Sequence, residues 1–149
     1  MASLGEALKA LADRFQIADF YVFGSRAKEI ANRFRKETAS DDGPEAAPLG
    51  PDSDVDIGIM PRREVRLTAK DRVGLTGELE DLLEANRVDL VILSEAEPFL
   101  ALEVIRGELL YAENPDRQAR HELYVLRRAG DLLPFKRQRL RLILGAEEG

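Results

Sequence analysis

Two aspartates separated by one residue have the type and spacing needed for metal chemistry. Asp54 and Asp56 alternate with β-branched residues at the next positions, and this period of two predicts a half-buried strand that ends at Pro61. Residues two apart on a strand share a face, so the two carboxylates repel each other unless a cation lies between them. Mg²⁺ takes such oxygen ligands together with substrate phosphates. The pair therefore predicts a site for a hard divalent ion.

A third carboxylate lies inside a later apolar run. Asp89 is the one charge in Val88 to Leu93, which reads as a buried strand. A carboxylate there is costly to bury without a partner. If this strand lies beside the Asp54/Asp56 strand, Asp89 completes a metal site with positions open for substrate. The alternative is structural: an edge position, or an ion pair with the neighbouring Arg87.

A glycine corner supplies the complementary part. Gly24 and Ser25 follow an aromatic and β-branched strand at 19–23 and precede a helix at 26–36. Glycine allows a tight turn and a close approach to a ligand, and the free N–H groups of the next helix favour a phosphate. Ser25 adds a hydroxyl and Arg26 a charge. Phosphates on one side and metal-bridging carboxylates on the other indicate phosphoryl or nucleotidyl transfer.

Each of these features has a structural explanation when it stands alone. A Gly-Ser turn after a strand is common, and an acidic turn before an edge strand is often merely solvated. The combination of all three, each at a buried strand, favours a metal-dependent transferase site.

The remaining pattern predicts the elements that position these groups. The apolar periodicities indicate helices and strands in alternation, which is typical of an α/β or α+β domain built on a small sheet. We expect one domain over residues 1–149. The predicted elements are a helix at 4–15, strands at 19–23, 54–61 and 88–93, a helix from the Thr68/Asp71 capping box to near Asn86, a helix between Pro98 and Gly107, a short edge strand at 108–112, and a helix from Asp116 with a break or kink at Pro134.

Composition limits the classes of protein. The net charge is −6, there is no Cys and there is one His. Disulfide frameworks and thiolate metal sites are thereby excluded. The acidic balance makes direct nucleic-acid binding unexpected. No apolar run is long enough to span a bilayer and no signal peptide is visible, so we expect a soluble cytoplasmic protein.

The charge is distributed unevenly. Residues 115–144 contain eight basic and three acidic side chains and form a basic C-terminal segment of charge +5, leaving −11 for the rest of the chain. Residues 37–60 contain seven acids and no Lys or Arg. The Pro-, Gly- and acid-rich stretch 37–52 is predicted to be a flexible insertion.

Three segments together resemble a known family. Phe-Gly-Ser-Arg-Ala at 23–27, Asp-Ser-Asp-Val-Asp-Ile at 52–57 and Val-Asp-Leu-Val at 88–91 are similar to the MNT-type minimal nucleotidyltransferases of the DNA polymerase β superfamily. The stretches 101–114 and 121–135 also look like the tail of these proteins. The similarity covers nearly the whole chain, and the three-part motif is specific as a set.

The resemblance implies a fold and a site. The fold would be a small mixed β-sheet flanked by helices, with C-terminal helices, binding Mg²⁺ and a nucleoside triphosphate at the acidic strands. Asp54 and Asp56 would hold the metals, and Asp89 would be a third ligand or the group that activates the attacking hydroxyl. The triphosphate would be held at the glycine corner, by Gly24, Ser25 and Arg26.

The resemblance also implies a partner. Stand-alone members of this size often resemble antitoxins that move AMP from ATP onto a tyrosine of a HEPN ribonuclease, so a hetero-oligomer with such a toxin is expected. Two alternatives stay open: an antitoxin that neutralises a HEPN toxin by binding alone, and a nucleotidyltransferase acting on a small molecule.

One departure from the family pattern bears on these alternatives. Lys28 and Glu29 stand where the family usually has another glycine, and 28 residues separate Ser25 from Asp54. The insertion at 29–50 is either a partner- or substrate-binding arm or a tolerated surface insertion. Whether it impairs catalysis is left open by the sequence.

Overall fold

The computed structural model describes residues 3–39 and 54–145. Four strands form a single mixed sheet: β1 (Ile17–Phe23), β2 (Asp54–Pro61), β3 (Arg87–Ile92) and β4 (Glu108–Ala112). Their order is β3-β2-β1-β4. β1 runs antiparallel to both β2 and β4, while β2 and β3 are parallel. The small mixed sheet and the edge position of the last strand are as predicted.

Within the described residues, five helices accompany these strands: α1 (Leu4–Phe15), α2 (Ala27–Ala39), α3 (Ala69–Leu83), α4 (Pro98–Ile105) and α5 (Pro115–Gly145). α3 begins at the predicted capping box, in which the Thr68 hydroxyl accepts from the Asp71 N–H and the Asp71 carboxylate accepts from the Thr68 N–H. α3 also provides the crossover that parallel neighbours such as β2 and β3 require. The predicted α/β (α+β) class is confirmed.

The sheet has a helical layer on each face, and the alternation along β2 assigns its residues to the two layers. Val55, Ile57 and Ile59 are buried in the main core with α1, α2 and α3. The intervening positions point to the opposite face, where Gly58 lies against Val104 of α4. On that face a smaller cluster joins side chains of β1, α4, α5 and the residue that follows β3: Tyr21, Phe23, Leu93, Ala101, Val104, Ile105 and Val125.

Two predictions are modified by the structure. α2 continues to Ala39, three residues into the stretch predicted as a loop, and the rest of that stretch, at 40–52, lies outside the described residues. Of the break or kink predicted at Pro134, the break is wrong, since α5 is one helix from Pro115 to Gly145. Pro134 and Gly130 are exposed, so water can solvate the carbonyl of Gly130 that proline deprives of its partner.

Among the helices that the structure describes, none combines the length and the apolar character needed to cross a membrane.

Candidate active site

The sheet register brings the predicted residues to one edge. Asp56 lies opposite Phe23, the last residue of β1, and on its other side it lies opposite Asp89 of β3. Asp54 lies opposite Arg87. The condition set by the sequence, that the Asp89 strand should lie beside the Asp54/Asp56 strand, is therefore met. The end of β1 and the starts of β2 and β3 meet at this edge.

The electrostatics of Asp56 show what this convergence does. Burial raises the pKa of its carboxyl above the usual value, and the negative charges of Asp89, Asp54 and Glu103 raise it further. Every charge that acts on Asp56 in this way is a carboxylate. A divalent cation would relieve this repulsion, and oxygen donors of this type fit Mg²⁺.

The three aspartates lie on neighbouring strand positions, but their carboxylates do not converge on a single metal-binding position. Within 3–39 and 54–145 no group of three His, Cys, Asp or Glu side chains lies close enough to hold a metal ion.

Asp89 has a cationic partner of its own. The Arg87 Nε donates to Asp89 Oδ1 at 3.1 Å, which is the ion pair that the sequence left open as an alternative. The Arg87 side chain is largely exposed and that of Asp89 is about half exposed, and such ion pairs are worth little, so a divalent cation can compete with Arg87 for this carboxylate.

Gly24 lies directly against the central carboxylate. Its φ of +79° is in the left-handed region that favours glycine, and a Cβ built on it would lie 2.5 Å from Asp56 Oδ2. The close approach of backbone and carboxylate therefore needs glycine at this position. The predicted glycine corner therefore lies against one member of the predicted aspartate pair.

The next two residues lead into α2. Ser25 is exposed, and the Ala27 N–H donates to the Gly24 carbonyl at 3.2 Å. Arg26 is half-buried and its Nη1 donates to Glu29 Oε2 at 2.8 Å, so its charge is partly compensated within the helix. Ser25 is thus placed at the N-terminal end of α2, beside the carboxylates.

Glycine also lets α4 lie close to the site. A Cβ on Gly58 would come within 2.3 Å of Val104 Cγ1. A Cβ on Gly107, which follows α4, would lie 2.3 Å from the Val22 carbonyl oxygen. These two contacts hold α4 against β2 and β1, and they place Glu103 near enough for its charge to act on Asp56.

Sequence reasoning missed Glu103, Gly58 and Gly107. The signal for Gly58 was available, because a glycine two residues after Asp56 on the same face marks a close approach by another element. Glu103 had no comparable signal, since its proximity depends on how α4 crosses the sheet.

A partly buried polar network ties α5 to β1. Asp19 is fully buried, and the Arg117 Nη2 donates to its Oδ1 at 2.5 Å. Burial raises the pKa of Asp19, and Arg117 opposes that effect. The Tyr21 hydroxyl accepts from Gln118 Nε2 at 2.6 Å and donates to Glu122 Oε2 at 3.1 Å. β1, which ends at the glycine corner, is thereby tied to α5.

Comparison with known families agrees with this geometry. The profile of the family described as "Polymerase beta, Nucleotidyltransferase" matches residues 6–116, which is most of the chain. The chain therefore belongs to the polymerase β nucleotidyltransferase family, and the family recognised from its motifs is confirmed. Comparison with curated proteins gives no match.

Solved structures share the fold over nearly the whole chain. A chain of a toxin–antitoxin complex crystallised with AMP-PNP has a TM-score of 0.66 at 17% identity, with 94% of this chain and 98% of that chain covered. A chain of the MntA–HepT toxin–antitoxin complex has a TM-score of 0.64 at 16% identity, covering 95% and 97%. A chain of the complex between tri-AMPylated Shewanella oneidensis HEPN toxin and MNT antitoxin scores 0.64 at 16% identity, covering 95% and 96%. At these identities the likeness establishes a shared fold.

Proposed function

We propose that this chain is a Mg²⁺-dependent nucleotidyltransferase and the antitoxin of a HEPN toxin, with AMP transferred from ATP to a tyrosine of that toxin. The observation that carries the proposal is the position of Asp56, in register with Asp89 on one side and against Gly24 on the other. Family membership supports the reaction class. The toxin–antitoxin complexes with AMP-PNP and with an AMPylated toxin support the nucleotide and the partner.

Each site residue has a role in this proposal. Asp54 and Asp56 would hold the metal, whose positive charge would stabilise the negative charge that develops on the transferring phosphate. Asp89 would be a further ligand or would accept the proton of the attacking hydroxyl. The triphosphate would lie at the glycine corner, near the N-terminal end of α2.

The positioning follows from this chain's own contacts. Gly24 would let the phosphates approach the carboxylates, and Ser25 would donate its hydroxyl to a phosphate oxygen. Arg26 would turn from Glu29 to the phosphates. Alignment of the acceptor hydroxyl with the α-phosphate would then supply much of the rate enhancement, as the new O–P bond forms and the bond to the departing pyrophosphate breaks.

The wider setting completes the proposal. We infer that residues 1–149 act as one nucleotidyltransferase domain in a hetero-oligomer with the toxin, in the cytoplasm, where ATP and Mg²⁺ are abundant. Direct nucleic-acid binding has no part in it, because the chain is acidic overall.

The test uses the HEPN protein encoded by the neighbouring gene. The purified partner is incubated with this chain, ATP and Mg²⁺, and its intact mass is then measured. We expect a mass increase of one or more AMP groups, located on tyrosine by fragmentation, and no increase with Asp56→Asn. Neutralisation of the toxin without a mass change would instead support an antitoxin that acts by binding. A gene neighbourhood without a HEPN reading frame would favour a small-molecule acceptor.

A further inference from the structure

A groove between α4 and α5 opens on the face of the sheet that carries the carboxylates. Its volume is about 830 Å³. Leu126, Leu133 and Leu140 recur every seven residues along the α5 side, and all three are at least one-third exposed. Phe99 lies on the α4 side, with the Lys136 Nζ 4.2 Å from the centre of its ring. An apolar floor of this length, open along a helix, matches the way an amphipathic helix binds in a groove.

The charge around the groove selects the kind of partner. Lys136, Arg137 and Arg106 line it, against the two acids Glu97 and Glu103. The whole of residues 115–144 carries +5. A partner helix with acidic side chains beside its apolar stripe complements both the floor and the rim.

The groove adjoins the strand that carries the carboxylates. Glu103 lines the groove, and its neighbour Val104 packs against Gly58, which lies two residues from Asp56 on the same face of β2. A helix seated between α4 and α5 would therefore present its side chains, or those of an adjoining turn, beside the carboxylates. The groove therefore lies where an acceptor-binding surface is needed, next to the strand that carries the carboxylates.

We propose that the α4–α5 groove is the docking site of the protein acceptor, and that it takes an amphipathic helix with acidic flanks that carries or adjoins the acceptor tyrosine. This inference rests on the proposed function and adds to it the surface that recognises the partner. A second copy of this chain fits less well. A symmetric contact would place the basic α5 of one copy against the basic α5 of the other.

The experiment measures binding of the full chain to the HEPN protein of the neighbouring gene. Leu133→Glu removes an apolar anchor and Arg137→Glu reverses a charge on the rim. Leu142→Glu is the matched control, because Leu142 is 71% exposed on α5 and lies outside the groove. We expect the dissociation constant to rise at least about tenfold for the first two variants, with AMP transfer falling in parallel, and to stay unchanged for the control.

Further readouts separate the possible failures. Affinity for ATP with Mg²⁺ should be the same for all three variants, which shows that the fold and the reaction centre are intact. If the native chain transfers AMP and Leu133→Glu and Arg137→Glu bind the partner normally, the groove assignment is overturned while the proposed function stands. If the native chain forms no complex at all, both fail. A dimer of the isolated chain in sedimentation that Leu133→Glu dissociates would assign the groove to a second copy and overturn the proposal.

Discussion

Asp56 links burial, charge and chemistry at the scale of a single residue. Its carboxylate is partly buried among like charges, which raises its pKa above 3.8, the ordinary value of an aspartate. Because the folded state then holds the proton more tightly than the unfolded chain, the metal-free protein loses stability as the pH rises from about that ordinary value through the raised pKa. A site that is destabilised at neutral pH is one that a cation can stabilise.

Asp56→Asn tests this coupling. At pH 7 the metal-free variant should melt at the same temperature as the native protein or higher, because one of the repelling charges is gone. Mg²⁺ should raise the melting temperature of the native protein but not that of the variant, and AMP transfer should fall at least ~100-fold. Asp81→Asn, at an exposed position of α3, is the control. Equal stabilisation of Asp56→Asn and native protein by Mg²⁺ would remove Asp56 from the ligand set.

Arg87 gives a second prediction at this scale. It pairs with Asp89 and so competes with a cation for that carboxylate. Arg87→Gln should strengthen Mg²⁺ binding by about two- to fivefold, the size expected for loss of an exposed ion pair. A calorimetric titration with Mg²⁺ measures this. Arg72→Gln, which breaks the exposed pair with Glu95, should leave the Mg²⁺ affinity unchanged. Unchanged or weaker binding by Arg87→Gln would show that Asp89 is not a ligand.

The sequence predicts these site residues unevenly. Asp54, Asp56 and Gly24 are recognisable because strand alternation and turn chemistry are local properties of the chain. To predict the position of Asp89 from the sequence, one must also know that its strand pairs with β2. A lone carboxylate in a buried strand suggests this pairing but does not determine it. Glu103 is out of reach, since it approaches Asp56 only through the packing of α4 on the sheet.

At the scale of elements, glycine contacts set the distance between α4 and the sheet. Gly58→Ala places a methyl group against Val104 and should lower the free energy of unfolding by about 1–3 kcal/mol. If this one contact is the cause, the double variant Gly58→Ala/Val104→Ala should lose less stability than the two single variants lose in sum. A double-mutant cycle measured by urea unfolding would show this.

Gly77→Ala is the matched control for that cycle. Gly77 lies in α3 with nothing within 4 Å of an added Cβ, so the change should stabilise the protein by about 0.5–1 kcal/mol. If Gly58→Ala also stabilised the protein, α4 would have to be free to move away from β2.

The anchoring of α5 gives a pH-dependent prediction. Arg117→Gln leaves the buried carboxylate of Asp19 without its cation and should lower the free energy of unfolding by about 2 kcal/mol at pH 7, less than for a wholly buried pair because Arg117 is partly exposed. The pKa of Asp19 should rise further in this variant. Its loss of stability should therefore be smaller at pH 5, where the carboxyl takes up a proton more readily.

Urea unfolding at the two pH values measures that difference. Arg14→Gln, which breaks the exposed pair with Glu78, should cost little at either pH. A penalty for Arg117→Gln that is independent of pH would show that Asp19 is not the group responsible.

The elements were predictable wherever their signals are local. The Thr68/Asp71 capping box predicts the start of α3, and the alternation after Asp54 predicts β2. The break expected at Pro134 does not occur, because the rule that proline ends a helix takes no account of exposure. On a solvated helix face, water can bind the carbonyl that loses its hydrogen bond to proline. The strand order likewise depends on contacts between distant segments, which periodicity does not contain.

At the scale of the whole molecule, the chain separates its charge. The basic residues of the segment 115–144 lie on one long helix, while the rest of the chain is strongly acidic. The sequence predicts the imbalance, but only the structure shows that the basic helix borders an apolar groove. An arrangement of this kind orients an approaching partner of opposite charge before contact.

The rate of partner association should therefore depend on salt. We expect the association rate constant with the proposed HEPN partner to fall about tenfold between low and high ionic strength, because screening shortens the reach of the α5 charges. The dissociation rate constant should change much less.

Arg137→Glu should slow association at low salt and weaken the dependence of the association rate constant on salt, since it removes one of the steering cations and adds an acid. Stopped-flow or surface-based kinetics over a series of NaCl concentrations measures both quantities. Arg141→Glu makes the same change of charge at an exposed position of α5 outside the groove, so it separates the loss of general positive charge from the loss of a cation at the docking surface. Association that is as fast at high salt as at low salt would show that the basic helix faces solvent rather than the partner.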